Sequence, residues 1–219
     1  MIVTVGNQKG GVGKTTIATN LAVISAMEDS NTLLIDADKQ GSSMDFRSLR
    51  ADSLKPVHAV QIVKPTIHTD ISTFTNFDHI FIDAGGRDSD TFRSAIMACD
   101  YFLIPVTPSP YDIWSSEETF KILRQARIYK EIKAAIILNQ LIKNTNISKD
   151  VQQSLNDIAK EYEVKVCDAM LYSRVAYKES VSEGKGVCEH SPGSKADQEL
   201  RHLYKEVIQC QSHVNLAEM

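Results

Sequence analysis

The chain has no C-x-x-C pair, no long apolar run, no internal repeat and no surplus of positive charge. Each absence removes a class of protein. The four cysteines, Cys99, Cys167, Cys188 and Cys210, are widely spaced, which argues against a zinc site and for reduced thiols in a cytoplasmic protein. The longest apolar runs fall far short of the roughly 20 residues that a membrane-spanning helix needs. The short apolar stretch at the N-terminus leads straight into a glycine-rich loop, which is not the layout of a signal peptide. With 24 Lys+Arg against 28 Asp+Glu the net charge is -4. Whole-chain electrostatics therefore do not mark a nucleic-acid binder, and any basic face has to be local. With no linker or low-complexity tract in its 219 residues, the chain reads as one domain, 1–219, long enough to bury a sizeable core.

What is present is an alternation of short apolar runs with longer helical patterns. Strands are expected at Ile2–Val5, Thr32–Ile35, His58–Ile62, His79–Ile82, Tyr101–Pro105 and Ala134–Leu138, with a weaker one at Val164–Cys167. Helices are expected at Lys14–Met27, Ser42–Leu49, Ser89–Ala98, Trp114–Tyr129, Ser148–Glu161, Val175–Glu183 and Lys195–Gln209, and residues 184–195 read as a loop. Runs such as "LLID", "IFID" and "FLIPV" suit strands buried on both faces of a parallel sheet. The fold class that follows is a doubly wound α/β sheet with helices on both faces.

The first strand opens into "GNQKGGVGKTT". Gly10, Gly11 and Gly13 let backbone N–H groups approach an anion closely, and the helix N-terminus that follows favours negative charge. Lys14 is placed to reach the β- and γ-phosphates of a nucleotide, and the Thr15 hydroxyl to bind Mg²⁺. The generic G-x-x-x-x-G-K-[ST] pattern fails, because its first glycine position is Gln8; the pattern that does match carries a second lysine, Lys9. Further on, "LLIDADKQGSS" ends a strand with Asp36 and Asp38, and "HIFIDAGGRDS" ends another with Asp83. A strand-terminal Asp opposite a phosphate loop is placed to hold Mg²⁺. Gly85 and Gly86 would let that loop respond to a γ-phosphate. Taken singly, Asp36 or Asp38 would equally serve as a turn or cap residue.

"KGGVGKTT" resembles the deviant Walker A motif of the ParA/MinD superfamily of P-loop ATPases, with Lys9 at the signature-lysine position. The resemblance spans roughly residues 1 to 205, with its specific motifs before residue 140. It implies a P-loop fold, ATP and Mg²⁺ as ligands, and an ATP-dependent homodimer in which Lys9 touches the partner subunit's nucleotide. It also implies that Lys9, Gly10, Gly11, Val12, Gly13, Lys14, Thr15 and Thr16 cradle phosphate and that Thr15, Asp36 and Asp83 surround the metal. By the same resemblance Asp38 is expected to orient or deprotonate the attacking water, which makes Lys9, Lys14 and Asp38 the expected catalytic set. Lys39 replaces the proline usual in the D-x-D-P-Q switch I segment. Asn139, at the end of "AAIILN", falls where the family commonly contacts adenine, although a capping role is open to it. Arg87 is the nearest candidate for a catalytic arginine in cis.

Within the superfamily, "FLIPVTPSPYD" is similar to small plasmid-partition ParA proteins of the ParF type. The expectation is therefore a DNA-segregation ATPase without an N-terminal helix-turn-helix domain or a membrane-binding tail. The implied partners are non-specific DNA and a centromere-binding ParB/ParG-like protein, with no membrane, in the cytoplasm on the nucleoid. Arg174 and Lys178 are the candidate DNA contacts, on one helical face; a merely solvated face is the competing reading. Two alternatives stand beside this one: a ParA-like ATPase that positions a protein complex, and a nucleotide-gated regulatory module with negligible turnover.

Overall fold

The computed structural model describes residues 1–86, 89–143 and 147–209. Seven strands form one sheet: β1 (Ile2–Val5), β2 (Thr32–Asp36), β3 (His58–Gln61), β4 (His79–Asp83), β5 (Tyr101–Val106), β6 (Lys133–Leu141) and β7 (Lys165–Tyr172). Their order is β3-β2-β4-β1-β5-β6-β7 and every pairing is parallel. The helices are α1 (Lys14–Met27), α2 (Ser42–Leu49), α3 (Ile67–Asp70), α4 (Asp90–Ala98), α5 (Pro110–Ser115), α6 (Glu117–Ala126), α7 (Lys149–Glu161), α8 (Ala176–Ser182), α9 (Val187–His190) and α10 (Lys195–Gln209). Successive strand residues point to opposite faces. Leu33, Ile35, Ile80, Ile82, Phe102, Ile104, Ile136 and Leu138 therefore meet α4, α6 and α7 in one core. Val3, Val5, Leu34, Phe81, Leu103 and Ile137 meet α1, α9 and α10 in the other. This double burial is why the strands read as unbroken apolar runs. Cys99, Cys167 and Cys188 lie buried in these cores; Cys210 lies outside the described residues.

Three expectations are corrected. The single helix over Trp114–Tyr129 is two helices, broken at the fully buried Ser116, whose hydroxyl donates to the Asp112 carbonyl (2.8 Å) and accepts from Asn7 (2.8 Å). That hydroxyl bonds back within the preceding turn, a habit of serine that competes with helix propagation. The second of the two stops at Ala126, where the Arg127 side chain turns to the Ile132 and Tyr162 carbonyls. The loop over 184–195 contains α9. Arg174 precedes α8 rather than lying on it, so the helical spacing expected to align it with Lys178 does not hold.

A buried ion pair ties α2 to the α8–α9 turn. The side chains of Arg50 and Glu189 are 2% and 7% exposed and meet in a two-pronged contact of 2.6 and 2.7 Å. Arg50 also donates to the Gly184 and Lys55 carbonyls. At Gly184 (φ 63°) a Cβ would lie 2.4 Å from the Leu49 carbonyl carbon, so only glycine permits this approach. Removing one member of such a pair leaves a buried uncompensated charge. Glu189→Ala is expected to cost about 3–5 kcal/mol, read as a lower urea midpoint, and Arg50→Met with Glu189→Leu to recover most of it. An unchanged midpoint in Glu189→Ala would show that the pair does not hold this junction.

Candidate functional site

The carboxyl ends of β1, β2, β4, β5 and β6 converge on one crevice, where the strand order reverses around β1. Ligands of open α/β sheets bind at such a switch point. The loop after β1 fills it. Among the described residues, the backbone N–H groups of Gly10, Gly11, Val12, Gly13, Lys14, Thr15 and Thr16 have no hydrogen-bond partner. α1 has no side-chain cap, starting instead from Gly13 at φ 88°. A run of donors without an acceptor at an uncapped helix start is a site for an anion.

The loop's carbonyls, by contrast, are held. Lys9 O accepts from Lys14 Nζ (3.1 Å), Gly11 O from Gln140 Nε2 (2.7 Å), Val12 O from Asn139 Nδ2 (2.8 Å) and Gly13 O from Ile17 N (3.0 Å). Asn139 sits so close that a Cβ on Gly13 would fall 2.3 Å from its Nδ2. The amide expected at adenine is therefore engaged with the phosphate loop. Gln140 reaches its carbonyl from a left-handed backbone (φ 59°).

Lys14 Nζ would lie 2.9 Å from a Cβ on Gly86, so the loop after β4 closes over it. Burial draws its pKa below the usual lysine value, against the pull of Asp83 and Asp38. Burial likewise pushes the Asp83 carboxyl up to about 6, although the Thr15 and Ser43 hydroxyls bond to it. Asp36, also buried, is raised for the same reason and accepts backbone N–H bonds from Asp38, Ser43 and Met44. It thereby fixes the turn into α2. Asp38 accepts from Gln40 N and lies against Gly85, where a Cβ would sit 3.1 Å from its Oδ2. The donor set fits a triphosphate with Mg²⁺: free N–H groups and one ammonium for phosphate, and a carboxylate with a hydroxyl for a hard cation that keeps most of its waters. Arg87 lies outside the described residues.

Lys9 is not in this cradle. Its ammonium pairs with Asp112 at 3.1 Å, on α5, with the lysine side chain 42% exposed. Thr107 donates to the other oxygen of Asp112, and this bond, followed by Lys9, holds the carboxyl below its usual range. The backbone ahead of Lys9 is fixed by Asn7, which is fully buried. The Asn7 amide donates to Pro105 O and Ser116 Oγ (2.8 Å each), and its oxygen accepts from Lys9 N (3.0 Å) and Thr119 Oγ1 (3.2 Å). Sequence reasoning missed Asn7, Asp112, Thr119 and Gln140. Only the adjacency of Asn7 and Gln140 to residues already singled out could have marked them. Past the carboxyl end of β7, Arg174 pairs with Glu199 through Nε (3.1 Å) and Nη2 and lies over the Tyr172 ring, whereas Lys178 is exposed.

Fold and site together define a P-loop nucleotide-binding protein. A family model for the CobQ/CobB/MinD/ParA nucleotide binding domain matches residues 3–187. The chain belongs to this family, whose ParA/MinD members are P-loop ATPases that work as dimers with partner proteins. It is 31% identical over 210 residues to the maintenance of carboxysome distribution protein A of Halothiobacillus neapolitanus, covering 93% of this chain and 94% of that one. It is 24% identical over 238 residues to the chromosome-partitioning ATPase Soj of Thermus thermophilus, covering 94% of each. The septum site-determining protein MinD of Pyrococcus horikoshii, solved with Mg-ADP, superposes with a TM-score of 0.76 at 18% identity, over 94% of this chain and 95% of that one. No helix among the described residues is long and apolar enough to cross a membrane.

Because Asn139 holds the loop, Asn139→Ala is expected to weaken ATP and inorganic tripolyphosphate alike, roughly tenfold, the scale of one lost buried hydrogen bond. Titration calorimetry with both ligands checks this. A loss confined to ATP would assign Asn139 to the adenine instead.

Proposed function

We propose that this protein is a ParA-type ATPase that dimerises around ATP and positions a cargo in the cytoplasm. The observation that carries the reading is the placement of Lys9: a loop lysine whose ammonium lies outside its own cradle, at the surface, on Asp112. Lys14 already serves the subunit's own phosphates. A second cation beside the loop is placed for phosphates on another copy. Two facing triphosphates repel unless such charges neutralise them, so a lysine that engages only bound ATP makes the dimer nucleotide-dependent. Mg²⁺, held by Thr15 and Asp83 with Asp36 behind them, supplies positive charge against the phosphates. Asp38, on a turn fastened by Asp36, orients the attacking water. Catalysis of phosphoryl transfer is largely such positioning and charge neutralisation.

For the cargo, a protein assembly is the better supported choice. The relative at 31% identity is named for carboxysome distribution, and the Arg174–Glu199 pair removes half of the basic face that DNA binding was to use. DNA segregation is the second reading, favoured by the likeness to a chromosome-partitioning ATPase along the whole chain. It brings with it non-specific duplex DNA at Lys178 and a released Arg174, a ParB/ParG-like partner and nucleoid association.

Lys9→Ala is expected to bind ATP as a monomer and fail to dimerise, and Lys14→Ala to lose most nucleotide affinity. Asp38→Ala should form a long-lived ATP dimer with little turnover. Sedimentation and phosphate release check all three. An intact ATP dimer in Lys9→Ala, or parental turnover in Asp38→Ala, would contradict the assigned roles. The cargo readings separate by DNA retention at low and moderate salt. Protein cargo alone predicts no ATP-specific retention. Segregation predicts retention with ATP, little with ADP, a steep fall with salt, and loss in Arg174→Glu with Lys178→Glu.

A further inference from the structure

The edge strand of the sheet reaches the turn that carries Asp38. β3 pairs with β2 alone, and its last residue, Gln61, stands in register with Asp36. Just past it, Ile62 N donates to Asp36 O (2.9 Å). The exposed side chain of Gln61 donates from Nε2 to Asp38 O (3.1 Å). The end of β3 therefore fastens the short segment from Asp36 to Asp38 at both of its ends.

That segment runs into a tight turn. Gly41 N donates to Asp38 O (3.2 Å), so Asp38, Lys39, Gln40 and Gly41 form a β-turn. Its first and last residues suit it: Asp38 accepts from Gln40 N through Oδ1 (3.0 Å), and glycine is favoured at the last position. The second position is less well suited. Proline is favoured there because it presets φ, whereas Lys39 leaves φ free. The Lys39 N–H has no hydrogen-bond partner among the described residues. A carbonyl oxygen has two lone pairs. On Asp38 O, Gly41 uses one from within the turn and Gln61 uses the other from the sheet. The carboxylate of the same residue is aimed inward, where a Cβ on Gly85 would lie 3.1 Å from its Oδ2.

We propose that Gln61 is a positioning residue for ATP hydrolysis. By holding the Asp38 carbonyl, the sheet edge fixes the turn that aims the Asp38 carboxylate at the attacking water, a restraint that Lys39 does not supply. The inference rests on the reading of Asp38 as the carboxylate that orients that water. A reacting group displaced by about an ångström loses much of its rate advantage, so a loosened turn is felt in turnover. Gln61 bonds to none of the residues from Gly10 to Thr16, so phosphate binding does not depend on it.

Single-turnover hydrolysis, ATP affinity, sedimentation with ATP and thermal melting are measured on the full chain. Gln61→Ala should hydrolyse ATP roughly fivefold more slowly, the scale of one neutral hydrogen bond. Its ATP affinity, association and melting should be unchanged. Gln61→Glu keeps the shape and loses the donor, so at neutral pH it should lose at least as much. Adding Lys39→Pro to Gln61→Ala should restore most of the turnover, because proline supplies the restraint from within the turn. Parental turnover in Gln61→Ala or Gln61→Glu would overturn the proposal and leave the Asp38 reading intact. So would a loss matched by weaker ATP binding or lower melting, or a double variant that melts like the parent without recovering turnover. Parental turnover in Asp38→Ala would overturn the Asp38 reading, and the proposal with it.

Discussion

Backbone donors without acceptors organise this molecule. From Gly10 to Thr16 the N–H groups have no partner among the described residues, while the carbonyls of the same loop are held by Lys14, Gln140, Asn139 and Ile17. A loop with one set of dipoles fastened and the other free presents a fixed positive concavity. Its preorganisation removes the cost of ordering the chain when an anion arrives. The rest of the site follows from that arrangement. Asn139 and Gln140, near the end of β6, supply donors to the loop's carbonyls; the loop after β4 lies over Lys14, and Asp83 and Asp38 sustain its charge.

The same constraint separates the two lysines. Lys14 is drawn inward, where burial works against its charge and Asp83 and Asp38 sustain it. Lys9 leaves the loop at the point where Asn7 bonds its N–H, and its ammonium lies at the surface on α5. An exposed pair of this kind is worth little, about 0–1 kcal/mol. It can therefore be exchanged for a stronger anion at small cost, which suits a contact that forms and dissolves with nucleotide state.

The fold was legible in the sequence because strands buried on both faces leave unbroken apolar runs, and Ile2–Val5, Lys14–Met27 and Ser42–Leu49 match their expected limits. The phosphate loop and the three carboxylates were legible because each sits within a few residues of a strand end. What escaped depends on distance along the chain. Asn7 meets Ser116 and Thr119 more than a hundred residues away, and no local pattern marks a serine that will interrupt a helix on behalf of a remote amide. The Arg174–Glu199 pair escaped for the same reason, since Glu199 lies in the last helix.

The central claim is that Lys14 acts on its own subunit's nucleotide and Lys9 on the partner's. Mixing two variants tests it most directly. Lys9→Ala and Lys14→Ala are each expected to be inactive alone. In a mixed dimer the Lys9→Ala subunit keeps its own Lys14 and receives Lys9 from the other subunit, so one site is complete. Each mixed dimer carries one competent site of two, so its turnover is at most about half that of a parental dimer. Restored ATP hydrolysis on mixing is the predicted result. No activity in the mixture, with mixed dimers verified by a tag on one variant, would place both lysines on the same nucleotide and contradict the account.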